Sequence, residues 1–173
     1  MRMLKLILIL PCLIIMFQPL NAKVDPPNYN FDLETLADFF PGRPISGIES
    51  KFGKGEVMNE EGRIKTIKYI VRETRYSLTA IVLEKEGIVE DFFVRLPGYF
   101  LHDVFFQALI NRHGKQTSYK KVQEEAYYVW KTETLKQVYS AACTITCFPI
   151  FYSVQKTNAT GRTLLDKMQR AMP

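Results

Sequence analysis

Two runs of period-two alternation, which follow a helical stretch that ends at Gly-Lys, constrain this chain more than any other feature. Ile67, Tyr69 and Val71 alternate with Lys68 and Arg72, and Tyr76, Leu78, Ala80 and Val82 alternate with Ser77 and Thr79. Side chains on a strand point alternately to its two faces, so both segments read as half-buried strands. Glu84-Lys85-Glu86-Gly87 turns the chain into a third strand, Ile88 to Leu96, which Pro97-Gly98 closes. Upstream, Asp32 can cap a helix over Leu33 to Phe40, stopped by Pro41-Gly42-Arg43-Pro44. Ser46-Gly47-Ile48-Glu49 has the S-x-x-E spacing of a capping box and predicts a second helix ending at Gly53.

The same order then begins again. Leu101 to His113 carries Val104, Phe105, Ala108 and Leu109 as a helical stripe and ends at Gly114-Lys115, 61 residues after Gly53-Lys54. A polar loop follows in each half, then an aromatic-rich strand (Ile67 to Arg72; Ala126 to Thr132), then a Tyr-Ser pair opening the next strand (Tyr76-Ser77; Tyr139-Ser140). The agreement of order and spacing predicts an α+β fold of two tandem helix-plus-antiparallel-sheet units, with helices packed on one face of the sheet. The units span residues 32–98 and 99–156; a chance echo of common helix-to-strand punctuation is the alternative. Residues 157–173 form a tail, in which Thr163-Leu164-Leu165-Asp166 starts a short helix whose Leu164, Leu165, Met168 and Met172 pack back on the body.

Residues 1–22 have the pattern of a secretory signal peptide. Arg2 and Lys5 precede an apolar run from Leu6 to Phe17, and Leu20-Asn21-Ala22 ends on a small residue. The run is too short for a spanning helix, so no stable membrane span is expected after processing. Cys12 lies within the run behind Pro11, which does not suit lipid attachment. The mature chain then starts at Lys23 with an extended arm over 23–31, where Pro26 and Pro27 forbid a helix. Export leaves 21 basic residues against 18 acidic ones, interspersed as in Glu84-Lys85-Glu86, with no stripe that would bind nucleic acid.

Catalytic and metal constellations are sparse. His102 and His113 would lie about 16 Å apart along one helix, too far to share a metal ion. No convincing nucleophile motif is present, and Ala142, Thr144, Thr146 and Phe148 supply no positive charge to activate Cys143 or Cys147. The expectation is therefore no enzyme, no cofactor and no metal. Two cysteines in an exported chain suggest one disulfide instead. In a continuous strand they would be about 13 Å apart. Across a hairpin with Thr144-Ile145-Thr146 as its loop they would face each other at roughly 5 Å, so bond and hairpin imply one another.

Aromatics are the remaining candidates. Along Tyr127-Tyr128-Val129-Trp130, alternation sends Tyr128 and Trp130 to one face and Tyr127 with Lys131 to the other. The face turned away from the helices would collect Tyr127, Ser140, Phe151 and Ser153, extended by Phe93 and Arg95. Tyrosine and arginine among small polar residues suit a protein-binding surface, and burial between layers is the equal alternative.

Ile45-Ser46-Gly47-Ile48-Glu49-Ser50-Lys51-Phe52-Gly53-Lys54 resembles the opening of the SmpA/OmlA type of outer-membrane assembly lipoprotein. Leu78 to Leu83 and Gly87-Ile88-Val89 resemble that module's second strand, turn and third strand, over residues 32 to 156 in all. Two such modules in tandem are similar to the β-lactamase inhibitor protein architecture. The resemblance implies protein binding without catalysis; the missing lipidated cysteine keeps outer-membrane anchoring from carrying over. The expectation is an exported, periplasmic or secreted protein-binding or inhibitory protein whose partner contacts include Tyr127, Arg95, Phe93, Phe151 and Lys131. The alternatives are a carrier of an apolar ligand between sheet and helices and, third, a secreted enzyme.

Overall fold

The computed structural model of the chain describes residues 33–73, 76–97, 102–143, 147–159 and 163–171. The expected leader, the whole arm, the expected cap Asp32, Gly98 and Met172 lie outside these residues. The elements are α1 (Leu33–Ala37), α2 (Ile45–Phe52), β1 (Glu56–Glu61), β2 (Ile64–Arg72), β3 (Ser77–Lys85), β4 (Ile88–Leu96), α3 (His102–His113), β5 (Ser118–Val122), β6 (Glu125–Lys131), β7 (Leu135–Cys143), β8 (Cys147–Lys156) and α4 (Leu164–Ala171). All strand pairs are antiparallel, and the order across the sheet is β1-β2-β3-β4-β8-β7-β6-β5.

This order corrects the expectation of two tandem units. The strands of residues 32–98 and 99–156 form a single eight-stranded sheet, joined where β4 pairs with β8 from Asp91↔Gln155 to Leu96↔Ile150. One apolar cluster runs across the seam, including Tyr69, Phe92 and Leu96 from one side and Tyr139, Tyr152 and Ile150 from the other. Neither four-stranded half could bury its β4 or β8 edge alone, and pairing the two removes both edges.

Helices on one face also needs correction. Leu36, Ile48, Phe105 and Leu109 of α1, α2 and α3 pack on the face formed by Val71, Val82, Phe92 and Tyr152. Leu164 and Leu165 of α4 pack on the opposite face with Ile81, Phe93, Val138 and Phe151. The sheet is therefore covered on both sides, which explains why β3 and β4 alternate imperfectly: Ala80, Ile81 and Val82 are all buried, as central strands covered on both faces require.

Local signals fared unevenly. Ile88–Leu96 is a strand as expected, and Gly53 (φ 80°) and Gly114 (φ 75°) end their helices with amides that donate to Glu49 O and Ile110 O. The Glu86-Gly87 turn has both residues at positive φ, the conformation that suits a two-residue hairpin between β3 and β4. The capping box at Ser46 is not used: α2 begins one residue earlier, behind an extended Pro44 with no side-chain cap. Both polar loops are strands. β1 and β5 are exposed along their whole length because they form the two sheet edges, and the pairing shift at Val57/Asn59 and the pair Lys120-Lys121 make those edges poor templates for further pairing. Tyr139-Ser140 lies inside β7 rather than opening it.

The interior between sheet and α1–α3 is filled with rings. Phe39 stacks on Phe52 at 4.9 Å and Phe92 at 5.7 Å; Phe105 meets Tyr139 at 5.4 Å and Tyr152 at 5.7 Å. Two polar atoms carried inside find partners, Tyr152 Oη donating to Gln137 Oε1 at 2.6 Å and Trp130 Nε1 donating to Gly114 O at the end of α3, whereas the buried Tyr69 hydroxyl has none among the described residues. Gly55 must lack a side chain, since a Cβ there would come within 2.4 Å of Ile67 Cγ2 and 2.7 Å of the Tyr69 ring.

The β7·β8 register sets Cys143 opposite Cys147; the intervening Thr144-Ile145-Thr146 lies outside the described residues. Opposed Cα atoms in an antiparallel pair are about 4.5–5.5 Å apart, inside the window a disulfide needs. Protein purified from an oxidising compartment and denatured without reductant should therefore take up no alkylating agent at either cysteine. Labelling of both would mean that the hairpin forms without the bond.

Candidate functional site

The face turned away from α1, α2 and α3 carries two recesses, and α4 determines what of it remains open. Sequence patterning holds α4 there. Thr163 and Asp166 form the expected capping box: the Thr163 hydroxyl donates to Asp166 Oδ2 at 2.8 Å and accepts from the Asp166 amide at 3.1 Å. From the sheet, Asp91 Oδ2 accepts from the Leu164 amide at 2.6 Å, a second carboxylate at the positive end of the helix. Leu164 and Leu165 then insert into the cluster of Ile81, Phe93, Val138 and Phe151, each buried leucine worth about 1.5–3 kcal/mol.

Two recesses flank α4. The larger, about 550 Å³, lies over β5 to β8 with Tyr127, Val129 and Val138 on its floor. Lys120, Lys131 and Lys136 also line it, with Gln155 at the inner end and Asp166 from the helix. The smaller, about 370 Å³, is lined by Thr79, Ile81, Phe93 and Arg95 over β3 and β4. A third hollow of about 420 Å³ lies at the β2 edge beside Lys51, Phe52 and Lys68.

All five expected contact residues are on the α4 face, but not at one spot. Tyr127 and Lys131 line the larger groove, while Phe93 and Arg95 line the smaller recess. Phe93 is 1% and Phe151 2% exposed, with ring centroids 5.5 Å apart beneath α4, so these two form the floor of the face instead of its contact surface. Sequence alternation assigned the face correctly and could not foresee that the tail helix would cover its centre. Tyr127 is half-buried against the same cluster, its hydroxyl donating to the Glu125 carboxylate. Lys131 is exposed, and its backbone amide donates to Thr117 Oγ1 at 3.0 Å. Lys120, Lys136, Gln155 and Asp91 were missed. Lys120 fell in a presumed loop, and the strand alternation would have placed Lys136 beside Lys131 had the β6·β7 register been known.

On the other face, His102 Nδ1 shares a hydrogen bond of 2.7 Å with the Tyr139 hydroxyl, between the rings of Phe106 and Tyr128. Burial holds the imidazole below its usual pKa and pushes the phenol well above its own, so both are neutral near pH 7. Among the described residues, no three His, Cys, Asp or Glu side chains are grouped to hold a metal ion, and no helix is long and apolar enough to cross a membrane.

No protein-family model and no curated protein matches the chain. Among solved structures, it resembles a DUF4309 family protein (YjgB) from Bacillus subtilis subsp. subtilis strain 168 at 11% identity, with a TM-score of 0.42 over 66% of this chain and 79% of that one. That likeness does not concern the SmpA/OmlA module.

Asp91 is 7% exposed and its Oδ1 has no partner. Burial is the main cause that raises its pKa from 3.8 to about 6; the Leu164 and Phe92 amides oppose the shift, and Asp166 adds to it. Folding therefore favours the protonated form. The stability this residue allows is full below the ordinary carboxylate range, declines as pH rises, and is lost above about 6, a difference of about 3 kcal/mol. Asp91→Asn keeps the acceptor for Leu164 without the charge. The difference in unfolding free energy between variant and parent should be near zero at about pH 4 and favour the variant by up to about 3 kcal/mol at about pH 7. A variant less stable than the parent at neutral pH would show that the charged cap outweighs its desolvation.

Proposed function

We propose that this chain is an exported, non-catalytic binding protein of the periplasm or extracellular space, and that it engages another protein through the groove beside α4. The observation that carries this reading is the groove itself. It combines an aromatic and apolar floor of Tyr127, Val129 and Val138 with a rim of Lys120, Lys131 and Lys136, which have no carboxylate partner among the described residues; an apolar centre inside a polar rim is the anatomy of a partner surface. The charged start, apolar run and small-residue end of residues 1–22 support export. A carrier with its ligand between the sheet and α1–α3 would need the space that the rings of Phe39, Phe92, Phe105 and Tyr152 occupy.

Photocrosslinking tests this directly. A photoreactive amino acid at position 127 or 131 should give a discrete protein adduct when the chain is expressed in its native cells, and the same group at position 119, which is exposed beside Tyr128 on the other face, should not. With the adduct's protein purified, Tyr127→Ala should weaken its binding by about 2 kcal/mol, the scale of a central interface aromatic. It should lower the unfolding midpoint less than a fully buried ring would. Equal adducts at 119 and 127, or unchanged affinity, would contradict the assignment.

A further inference from the structure

We propose that the occupant of the groove beside α4 is an extended acidic peptide segment, with two carboxylates four residues apart flanking a small apolar residue. This rests on the protein-binding reading and adds the chemistry of the partner. The strand registers place the groove's residues in three rows running across the sheet. The first is Lys131↔Lys136↔Gln155, the second Val129↔Val138↔Ser153, and the third Lys120↔Tyr127↔Ser140. Successive rows are two residues, about 7 Å, apart along the strands, so the first and third are separated by about 13 Å. An extended peptide lying along β6 has the same repeat and turns every second side chain to the sheet. Its residues i, i+2 and i+4 then meet lysines, valines and a lysine in turn.

Charge selects the occupant. Lys131 and Lys136 are directly opposed, an arrangement that costs stability when nothing neutralises it. Lys51, Lys65, Lys68 and Lys156 each have a carboxylate within 3.4 Å, whereas Lys120, Lys131 and Lys136, like Lys54, Lys85, Lys115, Lys121 and Lys167, have none among the described residues; what sets the three apart is that they line one groove. The groove's lining holds these three lysines against one carboxylate, Asp166, which caps α4 with Thr163; Glu125 accepts from Tyr127, Asp91, two strands from Lys136, accepts from Leu164, and Glu133 lies in the β6–β7 turn. Gln155, 8% exposed, bounds the inner end of the groove, opposite Asp91 on β4.

The test uses the exported chain and a fluorescent peptide of pattern Gly-Glu-Ser-Val-Ser-Glu-Gly, followed by anisotropy. Replacing both glutamates by glutamine, or moving the second one residue closer, should weaken binding about tenfold, as should the double variant Lys131→Gln with Lys136→Gln. Lys120→Gln should weaken the two-acid peptide and leave a peptide lacking the second glutamate unaffected, a coupling that general charge attraction would not give. These lysines are partly exposed and lack partners, so the variants should fold at least as well as the parent. Equal binding of the shifted peptide, no binding at all, or tighter binding of an oligonucleotide or inorganic polyphosphate would overturn the proposal. If the peptides fail while the adduct at position 127 persists, the acidic partner falls and the protein-binding reading stands. Loss of that adduct with spacing-dependent peptide binding retained would support the acidic site and count against the partner assignment.

Discussion

The pairing of β4 with β8 is the interaction on which the rest of this structure depends. Six residue pairs, from Asp91↔Gln155 to Leu96↔Ile150, convert two four-stranded meanders into one sheet whose edges, among the described residues, are β1 and β5. The same ladder sets both faces. On one, Phe92 and Val94 meet Val154 and Tyr152 under α1, α2 and α3. On the other, Phe93 and Phe151 form the floor on which α4 lies. A register slip of one residue would exchange those faces and expose the ring stack.

The position of α4 follows from that seam. Asp91 lies on β4 and Gln155 opposite it on β8, so the residue that caps α4 and the residue at the inner end of the groove belong to the same pair. Covering the seam leaves a groove over β5 to β8 and a smaller recess over β3 and β4. The cost is a carboxylate held in a dry site, which ties the stability of the α4 face to pH.

Much of the local structure was legible in the sequence because local rules determine it. Period-two alternation identified β2 and β3 and separated Tyr127 from Tyr128 and Trp130; the Glu84–Gly87 turn led to β4 and a run of aromatics to β6; Gly53 and Gly114 marked helix ends; Thr163 and Asp166 marked the start of α4. The misses are non-local. Glu56–Glu61 and Ser118–Val122 look like loops because edge strands exposed on both faces carry no alternation. The similar order of the halves suggested two units, and nothing in Phe92 or Tyr152 by itself says that they share one ladder. The lysine rim was invisible for the same reason: Lys120, Lys131 and Lys136 are dispersed in sequence and meet only through the β5·β6·β7 register.

Native-state amide hydrogen exchange tests the single sheet most directly. If β4·β8 is the seam of one cooperative body, the amides of β3, β4, β8 and β7 should exchange only through global unfolding, with one common opening free energy equal to the denaturant-derived stability. Their dependence on denaturant should also be the same. Two separate opening free energies, one for residues 64–96 and one for residues 125–156, with exposed β4 and β8 amides in the less stable half, would contradict the account.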